Sequence, residues 1–475
     1  MTYEPKLPAR DYQARELERM RGQSAWALHM YMRTGKTKVV LDDYGRLESE
    51  GKVQDLLVIA PGGAYLPWAD EVKKHLSDDL LSRVKVATWY SGKGISDPEF
   101  LKKLDGPRVF LVNVEALSSA TGAKEACMFF LRDRKAMVAV DESTTIKGPK
   151  AKRTRFIVGQ VRPLAKYRRT LSGLPSPRSP LDIYSQFYFL DPTILGHQSY
   201  DSFMHEYAIV KRHKFPGARW PTNVVTGYKN LDKLQAIVAD HSSRVEFRPD
   251  IPPTWSIRNV PMTPEQQRAY RELKKYATTK LAEDSHVTAT VVLSQMLKMH
   301  QILCGHVTDD NGFTREVPEL KTTQLLEFLD DYSGKAVVWA SYDFSIRRVA
   351  DALSREYGPE AVSRFWGGNR DTREAEEKRF KEDPACRFMV ATPSAGGRGR
   401  DWSVADLVVY YSSTYDLEHR EQSELRVQAY GKKTGVDYVD LIAPDTVEVK
   451  ILHALRNKID LASAVTGANW REWVI

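Results

Sequence analysis

Short apolar runs rich in β-branched residues recur along this chain between longer amphipathic stretches, and that alternation restricts the fold more than any other feature. The runs fall at residues 56–60, 109–114 and 137–140, and again at 336–340, 388–391 and 407–411. Each is too short for a helix and continuously apolar, the pattern of a strand buried on both faces of a parallel sheet. Two such series predict an α/β protein with one doubly wound parallel sheet in each half. With 475 residues, 42% of them hydrophobic, the chain has material for more than one core.

Residues 191–321 have a different texture, with loop signals at Asp191-Pro192, Phe215-Pro216-Gly217 and 249–253. A strongly helical piece follows over 263–304, with Thr263 as N-cap, Pro264 at the first helical position and Gln266 at the third. This middle reads as a helical insertion and connector. The expected division is residues 1–235, with the insertion starting near 191, then 236–320, then 321–475.

No apolar run approaches the roughly 18 to 20 residues that span a bilayer, and the start carries no cationic segment followed by an apolar one. Cys127, Cys304 and Cys386 are far apart and lack C-x-x-C spacing, which suits a reducing cytosol and argues against a zinc site. They read as buried small hydrophobes. A formal charge of +8 and a pI near 9.0 favour polyanionic partners. Nine Lys or Arg residues and no acid lie between positions 147 and 169, and Lys211, Arg212, Lys214 and Arg219 form a smaller cluster.

Two segments carry recognisable chemistry. Thr34-Gly35-Lys36-Thr37 follows an apolar stretch and opens a helical pattern. A phosphate loop needs glycine so that backbone amides can curl around phosphate oxygens, a lysine to reach the β and γ phosphates, and a hydroxyl to ligate magnesium. The full pattern has a further glycine where Met30 stands. In the second segment, residues 138–140 end in Asp141-Glu142, about 105 residues after the lysine. Adjacent acids at a strand's carboxyl end suit a nucleotide hydrolase, the first holding Mg2+ and the second polarising the attacking water.

In order and spacing these segments resemble the Swi/Snf-type branch of helicase superfamily two, nearly end to end. Arg10-Asp11-Tyr12-Gln13 is similar to the opening motif, whose glutamine reads adenine. Residues 32–37 take the place of the nucleotide loop, with Arg33 at a usual glycine. Val58-Ile59-Ala60-Pro61, followed by Trp68 and Glu71, is similar to the segment that contacts the tracked DNA strand. Asp141-Glu142-Ser143-Thr144 matches the acidic box except that Thr144 replaces histidine. Leu171-Ser172-Gly173-Leu174-Pro175 corresponds to a motif linking the acidic box to the DNA track. Residues 392–402 resemble the glycine-rich stretch facing the nucleotide, including Gly397, with Asp401 at a usual asparagine. The last motif keeps Arg426 but has Ala429 where a second arginine stands.

The resemblance implies two RecA-like lobes with helical insertions between them, and an ATP- and Mg2+-dependent motor on DNA. It assigns catalysis to Lys36, Asp141, Glu142 and Arg426. Nucleotide contacts fall to Arg10, Gln13, Thr34, Gly35, Lys36, Thr37, Gly397 and Asp401, and magnesium to Thr37 and Asp141. Candidate DNA contacts are Pro61, Lys147, Lys150, Lys152, Arg153 and Ser172. For the lost arginine, Arg426 suffices, or Arg398, Arg400, Arg420 or Lys432 substitutes, or turnover is slow. His300, Gln301 and Cys304 read as bracing residues, and Trp366, Trp402, Tyr410 and Tyr411 as core. The expected activity is sequence-independent translocation on duplex DNA by a monomer, in replication, recombination or repair, in a bacterial cytoplasm or a virus-infected cell. Strand separation on single-stranded DNA or RNA, and DNA binding with weak hydrolysis, stay open.

Overall fold

All six apolar runs form parallel strands. The computed structural model describes residues 3–62, 64–102, 105–176, 179–213, 222–283, 289–309, 311–396, 400–429 and 431–456. The chain divides into two units, Met1–Phe247 and Arg248–Ile475.

Ten strands lie in the first unit: β1 (Ala25–Met30), β2 (Asp55–Ala60), β3 (Lys85–Tyr90), β4 (Gly94–Ile95), β5 (Arg108–Asn113), β6 (Ala136–Val140), β7 (Ala165–Leu171), β8 (Ala208–His213), β9 (Thr222–Tyr228) and β10 (Ser242–Val245). Eight of them form one sheet in the order β10-β1-β7-β6-β2-β5-β3-β4. All neighbours in it run parallel except the short β4 against β3. Successive side chains alternate between two cores. Leu57, Ile59, Val138 and Val140 face one, while Leu56, Val58, Met137 and Ala139 face the other. A strand buried on both faces has no polar side to alternate with, and hence its continuous apolar character.

Strand β7 lies between β1 and β6 and escapes that rule. Its sequence, Ala-Lys-Tyr-Arg-Arg-Thr-Leu, belongs to the basic run. Arg169 is nonetheless wholly buried. Its Nε donates to Asp43 Oδ2 at 3.0 Å, and its Nη2 lies 2.8 Å from the same oxygen as an ion pair while donating to the Gln23 carbonyl at 3.0 Å. Asp43 is further held by Arg46 Nη2 at 2.6 Å. A guanidinium is tolerated in a core only with its charge and donors matched in this way. The basic run is therefore not one DNA-facing surface, since its last turn of charge is part of the sheet.

The middle of the chain is not wholly helical either. The helix Tyr200–Tyr207 leads into an antiparallel β8–β9 hairpin, the helix Leu231–Asp240 follows, and β10 then joins the sheet parallel to β1. Val224 and Val225 on one arm and Ile209 and Val210 on the other mark the hairpin. Lys211 and Arg212 are exposed on β8, whereas Lys214 and Arg219 lie outside the described residues.

The second unit contains β11 (Thr254–Asn259), β12 (His306–Thr308), β13 (Thr314–Glu316), β14 (Ala336–Trp339), β15 (Val362–Phe365), β16 (Phe388–Ala391), β17 (Leu407–Tyr410) and β18 (Asp437–Ile442). Its main sheet has the order β11-β18-β17-β14-β16-β15, parallel throughout. Again the faces alternate, with Ala336 and Val338 against one core and Val337 and Trp339 against another. The helix Pro264–Glu283 opens on the predicted reciprocal cap: Thr263 N donates to Gln266 Oε1 at 3.0 Å, and Gln266 N to Thr263 Oγ1 at 3.2 Å. Gln266 Nε2 also donates to the Ile302 and Leu303 carbonyls, tying this helix to the end of Ala289–Leu303. Trp366, Trp402, Tyr410 and Tyr411 are buried in core, and all three cysteines are buried free thiols. Among the described residues no helix is long and apolar enough to cross a membrane.

Candidate active site

The carboxyl edge of the first sheet gathers most of the predicted residues. β1 ends at Met30 and runs into a loop, residues 31–35, that caps the helix Lys36–Ser49. Gly35 has φ +78°, and a Cβ built on it would lie 2.4 Å from Gln13 Nε2. Glycine is thus required twice, by the left-handed backbone and by the close approach of a side chain. Arg33, at the position of a usual glycine, also adopts positive φ, +67°. The loop keeps a left-handed turn there despite the side chain, at a cost of roughly 1 to 2 kcal/mol.

The opening motif is fastened to this loop. Gln13 Nε2 donates to the Thr34 carbonyl at 2.9 Å and Tyr12 Oη to the same oxygen at 3.1 Å, while Gln13 Oε1 accepts from Arg10 N at 3.0 Å. Gln13 is buried and Arg10 exposed. Thr34 Oγ1 donates to the Tyr31 carbonyl at 2.6 Å, and Lys36 Nζ lies 3.4 Å from that oxygen. Thr37 is half-buried on the first turn of the helix.

Two strands away, β6 ends at Val140 and presents Asp141 and Glu142. Asp141 is almost buried, and both carboxylate oxygens already accept a bond: Oδ1 from Glu142 N at 2.9 Å, Oδ2 from Trp68 Nε1 at 3.0 Å. Glu142 has φ +45°, a left-handed kink that turns the chain sharply at the strand end. Between the two elements, β7 delivers Ser172 and Gly173. Ser172 N donates to the Leu28 carbonyl at 3.1 Å, and a Cβ on Gly173 would sit 3.4 Å from Met32 N. Strands about 4.8 Å apart leave roughly 10 Å between the ends of β1 and β6, room for a row of phosphates. The hydroxyl of Thr37 and the carboxylate of Asp141 are hard oxygen donors of the kind Mg2+ takes, so this donor set fits that ion.

Some predicted contacts fall elsewhere. Ser172 is wholly buried, its Oγ accepting from Leu174 N at 3.2 Å, and Pro61 is buried at the end of β2, so neither offers a surface to DNA. In the basic run, Lys150 and Lys152 are exposed, Lys147 pairs with Asp182 at 3.7 Å, and Arg153 Nε donates to the Thr145 carbonyl at 2.7 Å. Gln186 has no counterpart among the predicted residues. Wholly buried, it accepts from Ser143 Oγ at 2.5 Å and donates to the Pro175 carbonyl at 2.7 Å, joining the acidic box to the motif ending in Pro175. A lone glutamine in an aromatic-rich helix carries no pattern that could have revealed this.

In the second unit, Arg426 is buried and its Nη1 donates to the Arg400 carbonyl at 2.8 Å, while Trp402 N donates to the Arg426 carbonyl at 2.8 Å. Arg426 is thereby pinned to the end of the glycine-rich stretch. Asp401 is exposed and accepts from Ser403 N at 3.0 Å; Gly397 and Arg398 lie outside the described residues. Of the proposed substitutes for the missing arginine, Arg420 is buried in a bidentate pair with Asp440 at 2.7 and 3.0 Å. Lys432 Nζ donates to the Ser403, Ala405 and Val427 carbonyls, and Arg400 pairs with Glu377 at 2.8 Å. All three are committed to structural work.

His300, Cys304 and Glu448 form the one buried group of potential metal ligands among the described residues. Lys321 Nζ already bonds Glu448 Oε1, and His300 Nε2 approaches the same oxygen at 3.3 Å as an ion pair rather than an aligned hydrogen bond. Burial alone lowers the His300 pKa, but Cys304 and Glu448 together raise it to about 9. Glu448 falls to about 2, because Lys321 and His300 outweigh its own desolvation. The group is a compensated charge cluster in which Lys321 and His300 are the cations and Glu448 the anion.

The SNF2-related domain family matches residues 25–307. That is more than half of the chain, and the chain belongs to this family. It is 24% identical over 375 residues to the TATA-binding protein-associated factor mot1 of Aspergillus fumigatus, which covers 69% of this chain and 20% of that protein. It is 22% identical over 429 residues to the human DNA annealing helicase and endonuclease ZRANB3, covering 87% of this chain and 36% of that protein. The chain thus spans a fifth to about a third of the length of these relatives. A solved SWI2/SNF2 ATPase core of Sulfolobus solfataricus in complex with dsDNA is 20% identical, with a TM-score of 0.42, and covers 100% of this chain and 97% of that one.

Proposed function

We propose that the chain is an ATP-dependent translocase on double-stranded DNA. The observation that carries this reading is the convergence, at one sheet edge, of a glycine-capped loop bearing Lys36 and Thr37 with the Asp141-Glu142 pair. In it, Lys36 and the first amides of the helix bind the β and γ phosphates, Gln13 and Tyr12 hold the loop, and Glu142 orients the attacking water. Magnesium, when bound, neutralises phosphate charge; Thr37 and Asp141 are the residues that hold it. Arg426, the arginine that the last motif keeps, is the catalytic arginine in this reading, and Arg420, Lys432 and Arg400 serve the packing of the second unit. Membership of the family and a DNA helicase among the relatives support DNA as the track. Exposed Lys150 and Lys152 are its phosphate contacts, which makes binding independent of sequence and steep in salt.

Displacement of a third strand from a triplex tests the reading. ATP-dependent triplex displacement without unwinding of a forked duplex is the expected result. Unwinding of the fork, or displacement indifferent to ATP, contradicts it.

A further inference from the structure

Trp68 stands in the segment expected to touch DNA, yet it is 2% exposed and its indole faces inward. It opens the helix Trp68–His75, which follows the loop at the end of β2. Its Nε1 donates to Asp141 Oδ2 at 3.0 Å, while Glu142 N donates to Oδ1 at 2.9 Å. The two donors approach opposite oxygens and fix the rotation of the carboxylate about its own bond. The terminal torsion of an aspartate is broad, and a carboxylate left to swing loses that freedom on taking up a cation. A hydrogen bond to an ionised acceptor is about twice as strong as a neutral one, and outer partners that orient a metal-binding group tune its affinity for the ion.

We propose that Trp68 is a positioning residue for divalent-metal binding, acting through Asp141 and touching neither DNA nor nucleotide. The inference rests on the nucleotide site set out above and deepens it. Tryptophan suits the position because its ring fills the core beside Val72 and Leu76 while its single N–H serves one acceptor. Each oxygen of Asp141 keeps a second lone pair for the metal or its water shell.

The test is a titration of Mn2+, read by loss of the free-ion electron paramagnetic resonance signal, into full-length protein with ADP. Nucleotide affinity in EDTA and thermal stability are measured alongside. Trp68→Phe removes the N–H along with part of the ring. Benzothienylalanine installed at position 68 replaces N–H by sulfur in a ring of the same shape. Both should weaken Mn2+ binding to the nucleotide complex about tenfold while metal-free nucleotide affinity stays within twofold, and the isosteric residue, which keeps the packing and loses only the bond to Asp141, should lower the melting temperature less than Trp68→Phe does. Unchanged Mn2+ affinity with benzothienylalanine, or a parallel loss of metal-free nucleotide binding, overturns the inference and leaves the ATPase reading standing. Wild-type protein that takes up no nucleotide overturns both.

Discussion

Replacing Arg169 should cost stability and leave DNA affinity alone, although it belongs to the same basic run as Lys150 and Lys152. Arg169→Met keeps most of the volume and removes the charge. The change deletes the bond from Nε to Asp43 Oδ2, the ion pair from Nη2 to that oxygen, and the bonds to the Gln23 and Arg168 carbonyls. Breaking one side of a buried pair costs about 3 to 5 kcal/mol. Asp43 keeps Arg46 at 2.6 Å, so the lower end, about 3 kcal/mol, applies. For a unit of this size each kcal/mol shifts the melting temperature by about 2 to 4 °C, giving a drop of about 6 to 12 °C. The assay pairs thermal denaturation with duplex binding across a salt series. Arg169→Met should leave the slope of log K against log salt unchanged. Lys150→Ala with Lys152→Ala should lower it by about 1.8 and move the melting temperature by less than 2 °C. A melting temperature unchanged in Arg169→Met, together with a reduced slope, would refute the division of the run into strand and surface.

Gly35→Ala should weaken ATP binding at least tenfold, because the added methyl meets Gln13 Nε2 and strains a φ of +78°; equilibrium binding of a fluorescent nucleotide checks it. Arg426→Ala should reduce kcat by about 10³-fold or more, read by phosphate release at saturating ATP, and a change under tenfold would remove Arg426 from that role. Stability should also peak near pH 6.5. His29, lowered to about 4 by burial and Arg244, and His306, lowered to about 4 by burial, take up protons more readily when unfolded, so stability falls as pH drops from 6.5 toward 4. His300, raised to about 9, contributes stability that is full below pH 6.5 and lost as pH rises through 9, up to about 3 kcal/mol. Urea melts at pH 5, 6.5 and 9.5 test both limbs, and His300→Gln should flatten the alkaline one.

The strands legible in the sequence are those buried on both faces by apolar side chains alone. β7 was hidden because its burial is paid for by an ion pair with Asp43, a residue 126 positions away, and no local pattern records such a partner. The β8–β9 hairpin was hidden by its charge, with Lys211 and Arg212 exposed between short β-branched arms. At the site, residues whose chemistry depends on type and local spacing were visible: Gly35, Lys36, Thr37, Asp141, Glu142. Those whose work depends on which way they face were less so. Ser172 and Trp68 sit in segments matched to the DNA track, and both point into the protein. Ser172 follows a strand covered on both faces, where periodicity separates nothing; Trp68 shares a helical stripe with Val72 and Leu76, a pattern that does mark its inward face.

The most direct measurement is ATP hydrolysis by the purified chain with magnesium, with and without blunt duplex DNA, beside Lys36→Ala. Turnover that rises at least tenfold with duplex and vanishes in the variant is the predicted result. Equal turnover in wild type and Lys36→Ala, or none with duplex, single strand or RNA in a protein that still binds DNA, would contradict the account of a motor driven from the edge of the first sheet.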